Sequence, residues 1–265
     1  MRNSRIRREI AEKGLATCIK LNLESPRVIE MAGLAGFSAV WLCREHVPSD
    51  WVALENAVRA AKIHDVDVVV RVSKGSYSDY VKPFECDAAA IMVPHVTSAG
   101  EARHIVEMCR FMPLGKRALD GGCVDGGFTT LAVDDYLEAS NREKLIILQI
   151  ESPEAVEVVD EIAAVEGYDF LLFGPGDYAH RIGKAGQIND PEVLEARRKV
   201  EAACLRHGKA GFSVGAQGTP KELHGRGYRV VNLGSDVRSL IVSMEQAVGN
   251  FNRDALATDA YYQRS

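Results

Sequence analysis

Apolar residues in this chain follow two alternating periodicities. Short runs rich in β-branched and aliphatic side chains, at 16–22, 39–45, 66–73, 88–95, 145–151, 169–177, 210–215 and 229–236, have the length and composition of strands buried on both faces. Between them, residues 26–35, 51–64, 77–85, 99–111, 153–166, 191–207 and 220–225 repeat their apolar positions at helical spacing. Ser25-Pro26, Ser152-Pro153, Asp190-Pro191 and Thr219-Pro220 each place a capping side chain before a proline suited to the first helical turn. Gly167 and Gly208 mark helix ends. Residues 2–13 predict a short helix over one end of the fold, 134–142 a further helix and 237–256 a longer final one.

Eight short strands alternating with helices predict a closed (β/α)₈ TIM barrel, a single domain over residues 1–265. The alternative is an open doubly wound sheet. One connection breaks the rhythm: residues 112–130 hold Gly115, Gly121, Gly122, Gly126 and Gly127 without a strand or helix pattern. A loop this long is expected to be a lid, a binding loop or a subunit contact.

Composition narrows the function. With 265 residues, 46% hydrophobic and 26% charged, the chain suits a globular protein with a sizeable core. A net charge of -5 argues against a general binder of nucleic acid or anionic membrane and leaves a small molecule as the expected partner. No apolar run approaches the roughly 20 residues a membrane helix needs, and the basic N-terminal segment lacks a signal-peptide core, so a cytoplasmic protein is expected. The six cysteines are widely spaced with no CxxC pair, which points to small buried residues rather than a zinc site or disulfide framework.

In a barrel of this kind the chemistry sits at the C-terminal ends of the strands. Those ends carry Asn22, Glu45-His46, Arg71 with Ser73, Pro94-His95, Gln149 with Glu151, Gly176-Asp177, Ser213, and Asn232 with Asp236. Glu151 and Asp177 in one pocket would repel each other unless a cation lay between them, and a hard divalent ion takes one or two protein carboxylates with water and substrate oxygens. Arg71 offers a planar cation for a carboxylate or developing enolate oxygen. His46 is a residue type suited to proton transfer. Gly174-Pro175-Gly176-Asp177 leaves backbone N–H groups free in a tight turn that can receive a small anion. Gly174-x-Gly176-x-x-Ala179 matches the dinucleotide fingerprint only superficially, because it follows the sixth strand rather than the first.

The ordered set Gly36-Phe37-Ser38-Ala39-Val40-Trp41-Leu42-Cys43-Arg44-Glu45-His46, Val70-Arg71-Val72, Ile91-Met92-Val93-Pro94, Pro113-Leu114-Gly115-Lys116-Arg117, Gln149-Ile150-Glu151 and Phe173-Gly174-Pro175-Gly176-Asp177 resembles the HpcH/HpaI aldolases, class II pyruvate aldolases, from about residue 15 to 240. The resemblance implies a (β/α)₈ barrel whose C-terminal helix is exchanged between subunits of a hexamer, a trimer of dimers. It implies Mg²⁺, Mn²⁺ or Co²⁺ held by Glu151 and Asp177, and pyruvate chelating that metal with its carboxylate on the Gly176-Asp177 turn. Arg71 would stabilise the enolate, Gln149 would support the site, His46 would serve the proton relay, and Ser213 joins the substrate-binding set. The implied reaction is reversible cleavage of a 4-hydroxy-2-oxo acid to pyruvate and an aldehyde.

Three departures stand out. Cys43 occupies a position where the family usually has an acid that orients the histidine, and a thiol is a weak hydrogen-bond partner. His95 replaces an apolar residue, and Ala118 a glycine. Within the loop at 73–77, Lys74 reads as solvated surface rather than a Schiff-base lysine. Cys43 motivates a second reading, an oxaloacetate decarboxylase or other enolate-forming enzyme with weakened aldol activity. A third is a non-catalytic protein that binds a keto acid.

Overall fold

The eight apolar runs become eight parallel strands, β1 (Ala16–Leu21), β2 (Ala39–Cys43), β3 (Asp67–Arg71), β4 (Ala90–Val93), β5 (Leu145–Ile150), β6 (Phe170–Phe173), β7 (Ala210–Val214) and β8 (Tyr228–Ser235). They pair in chain order, and β8 closes on β1 to make a barrel, which excludes the open doubly wound sheet. This computed structural model describes residues 1–262, with side chains described through 251. Among the described residues no helix is long and apolar enough to cross a membrane.

Period-two alternation sorts the strand side chains into two cores. Ala16, Cys18, Trp41, Val69, Met92, Ile147, Leu172 and Phe212 fill the barrel interior, where Trp41 meets Phe212 edge-on at 6.1 Å. The intervening residues, such as Val40, Val70, Ile91, Leu148 and Leu171, pack outward against the helices. Each fully buried Val, Leu, Ile or Phe side chain contributes about 1.5–3 kcal/mol, so both layers drive closure.

Capping follows the sequence at most helix starts. Ser152, Asp190 and Thr219 each accept a hydrogen bond from a first-turn N–H, whereas Ser25 makes no such bond. The helix expected over 153–166 is interrupted at Val158, giving Pro153–Glu157 and Val159–Ala163. The final helix runs Asp236–Tyr262.

One mouth of the barrel is sealed. Helix Arg5–Lys13 covers the N-terminal ends of the strands and inserts Ile6 into the interior core. Asp67, at the start of β3, accepts from Ser4 Oγ at 2.7 Å, Ile6 N–H at 2.9 Å and Arg2 Nη2 at 2.9 Å. Asp169, just before β6, accepts from Arg7, Arg110 and the Ile146 N–H.

The glycine-rich connection is anchored on the flank. Arg117, buried, donates to Asp125 Oδ2 at 2.8 Å and stacks 4.5 Å from the Phe111 ring, while Tyr136 Oη donates to the same Asp125 oxygen at 2.8 Å. With Trp51, Lys82 and Cys86 the loop residues Cys123, Val124 and Phe128 border a cavity of about 360 Å³ away from the strand ends that carry the carboxylates.

Candidate active site at the open mouth

The first residue beyond β5 is Glu151, and it is 1% exposed. Strand β5 delivers it inward together with Gln149, whose Nε2 donates to Glu151 Oε2. The other oxygen, Oε1, accepts the backbone N–H of His95 at 2.8 Å. Glycine at 174 is required here: a Cβ would stand 2.8 Å from both Cβ and Oε2 of Glu151. Gly174 therefore lets β6 lie against the carboxylate.

Asp177 reaches the site differently from the strand-end position that the sequence suggests. β6 stops at Phe173, and after Gly174 the chain turns at once into helix Pro175–Arg181, so Asp177 lies in a helix first turn. It is exposed, and its negative charge acts on Glu151. The two carboxylates thus share one mouth. Burial pushes the Glu151 carboxyl up to about 7; the His95 N–H and charge oppose the shift, and Asp177 and Glu45 add to it.

His95 is the residue that sequence reasoning left without a role. Its φ of +54° places a non-glycine residue in the left-handed region, a conformation that persists only when neighbours hold it. Here its N–H is held by Glu151 and its carbonyl by Lys74 Nζ at 2.6 Å. The ring bridges two acids, with Nδ1 2.9 Å from Glu151 Oε1 and Nε2 3.0 Å from Glu45 Oε1. Lys74, expected as solvated surface, is exposed, and it also pairs with Glu101 at 2.6 Å, tying the loops after β3 and β4 together.

Arg71, at the end of β3, is buried beneath this bridge. Its Nε and Nη2 donate to Cys43 Sγ at 3.3 and 3.0 Å, and Nε lies 3.1 Å from Glu45 Oε2. The thiol of Cys43 is thus engaged by the guanidinium, and the only contact it makes with His46 is to the backbone N–H, at 3.4 Å. The His46 ring is largely exposed and stands 3.5 Å from Glu45 Oε2.

The structure therefore gathers Arg71, Gln149, Glu151 and Asp177 around one opening, with His46 at its margin and Gly176 in the turn beside Asp177. Ser213 stands apart. Its neighbours Phe212 and Val214 belong to the interior core, so Ser213 faces the other way, and its hydroxyl donates to the Gly215 carbonyl at 2.6 Å. Glu45, named only as part of a pair, proves to be the hub that meets Arg71, His95 and His46. Lys20 was overlooked, although a lysine between Ile19 and Leu21 inside an apolar strand was a legible signal.

Three buried polar atoms here lack a hydrogen-bond partner among the described residues: Trp41 Nε1, Gln149 Oε1 and Asn232 Oδ1. Such atoms are rare in a finished core and mark where a ligand would complete the pattern. Among the described residues no group of three or more His, Cys, Asp and Glu side chains is placed to hold a metal. Two carboxylates still suit a hard divalent ion that keeps water and substrate oxygens as its other ligands, and the strained protonation of Glu151 is what a cation would relieve.

A family model described as HpcH/HpaI aldolase/citrate lyase matches residues 18–243. A hydroxypyruvate/pyruvate aldolase of Delftia acidovorans is 30% identical over 236 residues, covering 89% of this chain and 87% of its own. A 5-keto-4-deoxy-D-glucarate aldolase of Salmonella paratyphi C is 31% identical over 232 residues, covering 87% and 90%. The crystal structure of an HpcH/HpaI aldolase from Desulfitobacterium hafniense has a TM-score of 0.85 and 27% identity, covering 92% of this chain and 95% of the other. With the barrel closed and these matches spanning most of it, the chain belongs to the HpcH/HpaI aldolase/citrate lyase family.

Proposed function

We propose that this enzyme, a lyase of the class II pyruvate aldolase family, cleaves a 4-hydroxy-2-oxo acid reversibly to pyruvate and an aldehyde with the help of a divalent cation such as Mg²⁺, Mn²⁺ or Co²⁺. The observation that carries this reading is Glu151: a carboxylate whose burial, with the charges of Asp177 and Glu45, outweighs the His95 contacts that favour its ionised form. Glu151 and Asp177 would hold the cation, and Gln149 would orient Glu151 through the hydrogen bond it already makes. When bound, the cation supplies Lewis-acid polarisation of the substrate's keto group.

The chain's own residues divide the remaining work. N–H groups of Gly176 and Asp177, in a helix first turn with no intrahelical acceptor, would receive the α-carboxylate, and a Cβ at Gly176 would meet nothing within 4 Å. Arg71 has Nε and Nη2 committed to Cys43 and leaves Nη1 for the keto oxygen, where negative charge grows as the carbon–carbon bond breaks. The proton leaving the 4-hydroxyl would pass to the Glu45-centred group, through His46 at the margin or His95 between the two acids.

Purified protein should release pyruvate from such acids with added Mg²⁺ or Mn²⁺ and lose that activity in EDTA. Undiminished turnover in EDTA would sink this reading.

The placement of Cys43 favours a second one. Because its thiol faces Arg71, nothing at position 43 orients the His46 ring, and a reaction that needs less proton transfer, such as decarboxylation of oxaloacetate, would suffer less. A Cys43→Asp variant should then gain aldol turnover relative to decarboxylation; an unchanged ratio would rule this out.

Assembly with further copies of the chain, a hexamer in the proposed form, is supported by the final helix. Leu240, Ile241, Met244, Val248 and Phe251 are each more than 40% exposed along it, an apolar face suited to a neighbouring subunit.

A further inference from the structure

Lys20 lies on β1 at an inward-facing position, opposite Trp41 of β2 in the sheet register and two residues beyond the interior Cys18. Its ammonium is half-buried and sits 5.4 Å from the Trp41 ring centroid, while the Arg71 guanidinium sits 5.3 Å from the same centroid. Two cations therefore share one indole. Burial, followed by the charge of Arg71, lowers the proton affinity of Lys20; Cys43, Glu45 and Asp236 act in the opposite direction.

The acids within reach are already engaged. Glu45 is contacted by Arg71, His95 and His46. Asp236 accepts the backbone N–H groups of Asn22, Leu23 and Val237 at 2.7–3.1 Å. Among the described residues, Lys20 makes no hydrogen bond or ion pair, and a cation–π contact replaces only part of the hydration that a half-buried ammonium gives up. Trp41 Nε1, on a side chain 3% exposed, also lacks an acceptor. Two neighbouring donors thus await an acceptor, one of them charged.

We propose that Lys20 and Trp41 form a subsite for a second carboxylate of the substrate, so that this enzyme acts on dicarboxylate oxo acids in preference to monocarboxylate ones. The inference rests on the aldolase reading above, which already assigns the first carboxylate to the turn after β6. That turn is three strands from β1 around the barrel, and Glu151 on β5 is four strands away, directly across the mouth. One carboxylate cannot serve both stations. A second carboxylate carried from the carboxylate pair toward β1 would meet Lys20, which shares the Trp41 ring with Arg71.

The test uses a matched pair of inert keto acids, 2-oxoglutarate and 2-oxopentanoate, which have the same chain length and differ in the terminal carboxylate. Binding is measured by titration calorimetry with Mg²⁺ present. The expected result is a preference of at least about tenfold for 2-oxoglutarate, the scale of one charge-assisted hydrogen bond. Lys20→Gln should collapse the preference, Lys20→Arg should keep most of it, and Trp41→Phe, which preserves a ring while removing Nε1, should reduce it. An unmodified protein with no preference, or a Lys20→Gln protein that keeps it, overturns the subsite. So does a borohydride-trapped adduct on Lys20, which would make the amine a covalent partner of the keto group. If pyruvate binds and supports metal-dependent turnover while the preference is absent, only the subsite fails. If neither keto acid nor pyruvate binds, the aldolase reading falls with it.

Discussion

The two mouths of the barrel treat their buried charges in opposite ways. At the sealed mouth Asp67 and Asp169 each accept three hydrogen bonds or ion pairs, Lys144 donates to Asp87 and to the Ala88 carbonyl, and Arg110 satisfies three carbonyls besides Asp169. At the open mouth, among the described residues, Trp41, Gln149 and Asn232 each leave a buried polar atom without a partner, and Lys20 meets the Trp41 ring but no acid in an ion pair. Proton affinity alone does not separate the two ends, because burial raises the carboxyl of Asp67 as well as that of Glu151. What differs is completeness. A complete network holds the strands together, and an incomplete one stores unfavourable free energy that a ligand can release.

The contrast can be broken most decisively at Asp177. An Asp177→Ala variant should lose metal-dependent cleavage by on the order of a thousandfold while keeping its thermal unfolding temperature, because the residue is exposed and belongs only to the open mouth. Retention of more than a tenth of the activity, in a pyruvate-release assay, would place the chemistry elsewhere.

Next in size is Arg110→Met at the sealed mouth, which strands buried acceptors and should destabilise the fold by about 3–5 kcal/mol in urea unfolding. Turnover per folded molecule should change little. A large loss of turnover would mean that the two ends are coupled.

A smaller effect, of opposite sign, is expected for Glu151→Gln in EDTA. Because the folded-state proton affinity of Glu151 is raised from 4.5 to about 7, its contribution favours the fold at low pH and is lost as pH rises through that window. The glutamine variant should therefore be more stable than the parent by roughly 1–3 kcal/mol at pH 8, and show no gain at pH 4. Equal melting temperatures at pH 8 would remove the claim of an incomplete site.

The smallest effect lies at Asp87. Burial alone would raise its carboxyl, but Lys144 and Lys62 outweigh it and hold the group below its ordinary value. This pair stabilises above the ordinary carboxylate range and is lost as pH falls through the lowered one. Lys62→Met should cost about 1 kcal/mol at neutral pH and progressively less on acidification, read from melting curves across pH.

Much of the architecture was legible in advance, for a simple reason. Strands buried on both faces must be apolar along their length, so eight such runs separated by helical periodicity leave few ways to hide every face. Glu151 was legible too, since a carboxylate ending a run like 145–150 has nowhere to go but the mouth. Asp177 was found by residue type and misjudged in setting: the Gly174-Pro175 turn starts a short helix where a strand end was expected. Ser213 shows the limit of reading strand ends without their phase, because a position one residue out of step faces the helices rather than the interior. Lys74, His95, Glu45 and Lys20 needed contacts between strands far apart in the chain, and no local pattern carries those.

From its sequence alone this protein was determined to be a barrel with acids, an arginine and a glutamine at one mouth, because hydrophobic period and strand length are local properties of the chain. Tertiary structure decided the pairings: Arg71 with Cys43, Glu45 between His95 and His46, and Lys20 beside Trp41 without an ion pair among the described residues. Those pairings depend on the stagger between neighbouring strands and on which side chains reach one another first across a closed mouth. Both are set only when the last strand joins the first.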